Sequence, residues 1–229
     1  VFRWLVVPHD DAELALRSAF TELSDIPAGE WRHFWSQVRE RQFAPREHLF
    51  LQDKPAPCIH YILRGLVRLF YNDDGREIVR GFDYETRFVT AYESVLTGGP
   101  ATFGCQAIEP TVTLSFTGDV LTRAYNRHPC WDRLGRRILE LQWIRQIDKD
   151  RRFRIYSPEQ HYRVLLERRS PIVNRVPLNQ LASFLQVTPE TLSRIRARVR
   201  RDASGAHGKN VGQEDSLTVG QEINEVAQS

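Results

Sequence analysis

Apolar residues recur at helical spacing twice near the start of the chain, in 12–23 (AELALRSAFTEL) and 27–38 (PAGEWRHFWSQV), with Ser24 and Pro27 punctuating between them. Two short helices are predicted. From Gln42 to Phe116 the pattern changes to short β-branched and aromatic runs broken by turn residues: HLFLQ, CIHYIL, LVRLFY, EIVRGF, RFVTAY, GCQAI and TVTLSF. Glycine and Asn/Asp accept positive φ at low cost, so Arg64-Gly65 and Asn72-Asp73-Asp74-Gly75 read as hairpin signals. Seven or so strands at this spacing predict an antiparallel roll or barrel. Past Pro129 the helical period returns. Leu134, Ile138, Leu141, Ile144 and Ile147 line one side of a helix running to about Ile155, with arginines over the rest of its surface. A long single-striped helix after a β-domain packs against its twin in a dimer or lies on its own roll; the pattern favours the dimer. Pro158 ends it, and Ser157 can cap the next helix, HYRVLLER.

The sharpest pattern lies at 176–201. Leu178, Leu181, Ala182 and Leu185 fall at i, i+3, i+4 and i+7, one apolar stripe on a first helix, and Ala182 is small enough to let a second helix approach. Gln186-Val187 make a tight break. Thr188 suits an N-cap, Pro189 the first helical position, and Glu190 the first turn, where the helix dipole favours an acid. At 100° per residue, Leu192, Ile195 and Val199 gather on one side of the second helix, and Glu190, Ser193, Arg194, Ala197 and Arg201 on the other. Such an outward face suits DNA reading. Arg194 can bond both acceptors of guanine, Glu190 can accept from the cytosine amino group, and Ser193 can meet a base edge or a phosphate. Thr191, Arg196, Arg198, Arg200 and Arg201 are placed for phosphates, with Thr188 at the helix start. The bland alternative is an exposed helix whose Glu190 and Arg194 form only an i,i+4 pair.

Charge sharpens this division. Residues 1–122 hold 12 Lys/Arg against 17 Asp/Glu, 123–201 hold 19 against 7, and 202–229 hold 1 against 5. A basic segment between acidic ones is expected of a nucleic-acid-binding part joined to another activity, although solvated salt-bridged helices would give the same bias. With 41% hydrophobic residues the chain can fill a core. No apolar run approaches the roughly 20 residues that cross a bilayer, and the opening VFRWLVVPHDD turns acidic too soon for a secretory signal, so no membrane partner and a cytoplasmic location are expected. Cys58, Cys105 and Cys130 are too scattered for a disulfide framework or a metal cluster.

The stretch 156–168 (YSPEQHYRVLLER), followed by Thr188-Pro189-Glu190-Thr191-Leu192-Ser193-Arg194, resembles the C-terminal domain of the Crp/Fnr family of bacterial transcription regulators. Glu190, Ser193 and Arg194 match that family's E-x-x-S-R reading motif, and the likeness extends over about 24–201, with Gly65 and the turn 74–77 where the family pattern puts them. The resemblance implies an α+β chain. Its parts are N-terminal helices and an antiparallel β-roll sensor like a cyclic-nucleotide-binding domain (1–127), a dimerisation helix (128–155), a helix-turn-helix DNA-binding domain (156–201) and a disordered polar tail (202–229). It implies double-stranded DNA and a second copy of the chain as partners, and leaves open RNA polymerase and a small-molecule effector. Cyclic-nucleotide-binding members hold the ribose with a Gly-Glu pair and the phosphate with an Arg-Ser or Arg-Thr pair. Here 85–109 has neither, and no arginine stands between Arg87 and Arg123. A buried phosphodiester without a positive partner is costly, so the expected effector is not cyclic AMP or GMP.

Weaker patterns carry less. Cys58/His60 and His128/Cys130 place ligand types two apart, which strand alternation gives by default, so no metal and no cofactor is expected. Gly98-Gly99 lacks the surroundings of a phosphate loop. Trp31, Trp35, Tyr61, Phe70, Phe82 and Tyr92 read as core aromatics, some of which could line an effector pocket. No nucleophile is paired with a base, so an enzyme is not expected; the rival is a regulatory module acting through protein contacts.

Overall fold

A computed structural model describes residues 9–168 and 172–205. The chain divides into a unit ending at Leu192 and a second beginning at Ser193. In the first, helices α1 (His9–Thr21) and α2 (Ala28–Trp35) precede eight strands: β1 (Arg39–Phe43), β2 (His48–Phe50), β3 (Cys58–Arg64), β4 (Leu66–Asp73), β5 (Arg76–Tyr84), β6 (Phe88–Val89), β7 (Gly104–Ala107) and β8 (Thr111–Thr117). They form two antiparallel four-stranded sheets, ordered β1-β8-β3-β6 and β2-β7-β4-β5. The period-2 alternation of β3 and β8 serves two cores at once. Ile59, Tyr61, Leu114 and Phe116 pack outward with Leu16, Phe20, Trp31, Phe34 and Trp131 of the surrounding helices. Ile62 turns inward to join Phe50, Val67, Val89, Phe103 and Cys105 in a cluster drawn from both sheets.

The Asn72–Gly75 signal makes a true hairpin: Asp73 pairs Arg76 across a two-residue turn in which Asp74 (φ 49°) and Gly75 (φ 87°) are both left-handed. Arg64-Gly65 does not. β3 and β4 lie in different sheets, so Gly65 (φ 111°) turns a corner between them, and its N–H donates to Glu85 at 2.9 Å. A Cβ there would stand 2.7 Å from the Thr111 Cα, which is why the corner needs glycine. Between residues 9 and 128, three elements have no counterpart in the expected pattern: β1, whose sequence RERQF is polar because four of its five residues are exposed; α3 (Tyr92–Thr97), which begins where the run RFVTAY was expected to continue as strand; and α4 (Gly118–Tyr125).

Helix α5 (Pro129–Ile155) runs over the expected span. Its apolar residues divide between two faces. Leu134 is buried and Ile138 packs against the helical core, whereas Leu139, Trp143, Ile144 and Ile147 are exposed, Trp143 at 68%. α6 (Pro158–Glu167) starts with a full capping box: Gln160 N–H donates to Ser157 Oγ, and Ser157 N–H to Gln160 Oε1. α7 (Ile172–Arg175) and α8 (Leu178–Phe184) follow. Ser183 Oγ accepts from Val79 N–H of the edge strand β5, while Phe184 meets Phe82 and Phe153 edge-on. No helix among the described residues is long and apolar enough to cross a membrane.

Candidate nucleic-acid interface

α8 buries Leu181 and Ala182, with Leu185 buried just beyond its end. The chain then stops the helix with a Schellman motif: Val187 N–H donates to Ala182 O, Gln186 N–H to Ser183 O, and Gln186 sits left-handed at φ 58°. Glutamine here bears a steric cost that glycine would not. Thr188 opens α9 (Pro189–Gly205), its Oγ1 accepting from Thr191 N–H at 3.2 Å and its carbonyl from Leu192 N–H. α9 passes four residues beyond Arg201; the rest of the expected tail, 206–229, lies outside the described residues.

Exposure along α9 follows the helical period. Leu192, Ile195 and Val199 are buried. Glu190, Ser193, Arg194, Ala197, Arg198, Arg200 and Arg201 are exposed, as is Thr188, whereas Thr191 and Arg196 are half-buried. Glu190, Ser193 and Arg194 thus share one outward row beginning in the first helical turn, where the unbonded N–H groups add positive potential. α9 is one continuous element, although the division between the two units falls inside it.

Sequence patterning missed a polar cluster that fastens α7. Arg175 donates to both oxygens of Glu85 at 2.8 Å and also bonds both oxygens of Glu109. Burial alone would raise the Glu85 carboxyl, but Arg175 and the Gly65 N–H outweigh it and hold it below the usual range. Its two carboxylates in turn keep the Arg175 guanidinium firmly charged. The three residues lie too far apart in sequence for any spacing rule to join them. Beside β5, Lys149 donates to Arg80 O at 2.8 Å, and Asp83, its carboxyl raised by burial, faces Arg87, Lys149 and Arg145.

In the loop region of the roll, Glu93 accepts from both the N–H and the hydroxyl of Thr102, at 3.0 and 2.8 Å. Arg80 lies over the Phe103 ring, 4.1 Å from its centre, and Phe103 is itself buried. The expected ligand pairs have ordinary structural places: His128 Nδ1 caps α5 by accepting from Cys130 N–H, and His60 is held by Ser115. Among the described residues no three His, Cys, Asp or Glu converge on a metal position. Of the aromatics read as core, Trp31, Tyr61, Phe70 and Phe82 are buried, and Tyr92 is exposed.

Residues 40–128, most of this two-sheet roll and its flanking helices, match the family model described as a cyclic nucleotide-binding domain. Solved structures share the fold over most of the chain. The c-di-GMP responsive global regulator CLP of Xanthomonas campestris is 18% identical with a TM-score of 0.61, covering 77% of this chain and 93% of its own. FixK2 from Bradyrhizobium japonicum is 16% identical with a TM-score of 0.59, covering 82% and 96%. A cyclic nucleotide-binding domain from Methylobacillus flagellatus is 18% identical with a TM-score of 0.55, covering 62% and 83%. No curated protein sequence matches the chain. At these identities the likeness is one of fold.

Proposed function

We propose that the chain is a homodimeric, sequence-specific DNA-binding transcription regulator of Crp/Fnr type. The observation that carries this reading is the outward row of α9: an acid, a hydroxyl and a guanidinium (Glu190, Ser193, Arg194) at the leading end of a helix preceded by a left-handed turn. A recognition helix presents that end to base edges in the major groove. Arg194 reads guanine, Glu190 accepts from cytosine and Ser193 contacts a base edge or phosphate. Thr188, Thr191, Arg196, Arg198, Arg200 and Arg201 hold the backbone. Residues 1–127 sense, 128–155 dimerise and 156–201 read. The exposed Leu139, Trp143 and Ile147 recur every four residues along α5, a stripe suited to a second copy.

The effector in this reading is not a cyclic nucleotide. Glu93 is already engaged by Thr102, Arg80 is laid over the buried Phe103, and no arginine occupies 88–122 to meet a phosphate. A signal in the roll would instead bias the reading heads between two states through α5 and the Arg175 cluster.

Selection of bound sites from randomised DNA tests the whole reading. The expected product is a two-fold-symmetric sequence, and Arg194→Ala should weaken binding about 10- to 100-fold while relaxing preference at a guanine. Unchanged base preference in that variant removes the reading assignment. Binding that ignores salt removes the DNA role and leaves the protein-contact module.

A further inference from the structure

The roll holds a second feature, beside Phe103, whose ring meets Phe50 edge-on. A cavity of about 270 Å³ opens among β1, β2 and β3, lined by Arg41, Leu49, Phe50, Pro57, Cys58 and His60 with the adjoining prolyl loop. The strand register explains who faces it. Arg41 stands opposite Thr113 of β8, and Ser115 of β8 stands opposite His60 of β3. Paired residues share a face, and Ile62, two positions from His60, is in the cluster between the sheets. Arg41, His60, Thr113 and Ser115 therefore belong to the inner face.

Counting hydrogens fixes what His60 offers. Its imidazole is 2% exposed, and Nδ1 lies 3.0 Å from Ser115 Oγ and 3.3 Å from Thr113 Oγ1, with the two hydroxyls 3.2 Å apart. If Nδ1 carried the proton, one of the two buried hydroxyl hydrogens would have no acceptor. If Thr113 donates to Ser115 and Ser115 to Nδ1, every hydrogen is used, and the proton of the neutral ring sits on Nε2. That N–H has no partner among the described residues. Neither has the Arg41 guanidinium, which shares the cavity and acts electrostatically on His60. One planar cation and one neutral N–H, both unspent, sit beside the apolar walls of Leu49, Phe50 and Pro57.

We propose that this cavity binds a small organic carboxylate with an apolar body, its oxygens meeting Arg41 and the His60 Nε2–H. A carboxylate monoanion matches one positive charge and two donor directions, whereas a phosphate dianion would remain half-neutralised. The volume sets the size. A dry cavity of about 150 Å³ accepts benzene, so roughly twice that accepts a ring or a short alkyl chain bearing the acid. The binding claim stands apart from the DNA-reading proposal, because it concerns the roll alone.

The test titrates the full chain, without DNA, with benzoate and hexanoate, with benzyl alcohol and hexanol as neutral counterparts, and with inorganic phosphate. Calorimetry gives the affinity, and histidine-selective NMR reports the His60 ring. Both carboxylates should bind one per chain and move the His60 resonance, with the alcohols and phosphate at least about tenfold weaker. Arg41→Gln should lose about 10- to 100-fold in carboxylate affinity. Arg76→Gln, the same charge change at the β4–β5 hairpin, should keep it. Carboxylates that do not bind, that bind no better than hexanol, or that bind Arg41→Gln as tightly as the unaltered chain overturn the proposal.

Discussion

Burial deprives His60 of its charge: desolvation, with the nearby Arg41 adding to it, pushes the imidazole down to about 4. An unfolded histidine titrates near 6.5, so as pH falls from about 6.5 to 4 the unfolded chain gains a proton that the folded one refuses. The sign is therefore loss of stability on acidification, complete below about 4 and amounting to roughly 3 kcal/mol for this group. Urea unfolding at pH 7 and pH 4.5 should show the loss, reduced in His60→Gln, and the ring should titrate by NMR near 4 rather than 6.5. Gly65→Ala should cost about 2–4 kcal/mol, read as a lower urea midpoint at unchanged slope, since the added methyl meets the Thr111 backbone and the left-handed φ persists. Residues of this kind differ in how far sequence exposes them. Thr188 as a cap and Gln186 as a break follow from local backbone chemistry, so they were legible. His60 was legible only as a member of an i,i+2 pair, because its partners Thr113 and Ser115 come from a strand more than fifty residues away.

Elements were legible where the hydrophobic period is long and unbroken. α5 and its boundary at Pro158 follow from the pattern, and so do α8, the turn and α9. β1, α3, α4 and α7 were not, since a polar edge strand and helices of four to eight residues leave almost no period to detect. The stripe on α5 shows the limit of a single wheel: Leu134 and Ile138 serve the chain's own core, and the outward row is Leu139, Trp143 and Ile147. Trp143→Glu should therefore convert the proposed dimer to a monomer in sedimentation equilibrium with its far-UV circular dichroism unchanged; a dimer that survives removes α5 as the interface. The Arg175 cluster makes a separate prediction. Arg175→Met leaves Glu85 and Glu109 facing each other without their cation and should cost about 2 kcal/mol at pH 7. Because Glu85 is held below its ordinary value, the bond contributes above about pH 4.3 and is lost as pH falls through the folded value, so variant and parent should converge in acid.

At the scale of the whole chain, sequence conveys charge better than it conveys assembly. The excess of 19 Lys/Arg over 7 Asp/Glu in 123–201 is plain in the string, but many of those arginines are engaged along their own helices, Arg136 with Glu140, Arg152 with Asp148, Arg154 with Asp150 and Arg163 with Glu159. Exposed pairs of this kind are worth little to stability. α9 places Arg194, Arg198, Arg200 and Arg201 on its exposed side, and in the proposed reading the salt dependence of binding should report them individually. Each phosphate contact contributes about 0.9 to the slope of log K against log salt. Arg198→Ala, removing one contact from each half of a dimer, should lower the slope by about 2 and weaken all sequences alike. Arg194→Ala should instead alter which sequence is preferred. A symmetric reader further requires half-sites about 34–36 Å apart, one helical turn, so inserting five base pairs between them should abolish tight binding and inserting ten should restore much of it. If both insertions are tolerated equally, the two reading helices are not held in one fixed pair, and the dimeric mode of reading is wrong even where the base contacts are right.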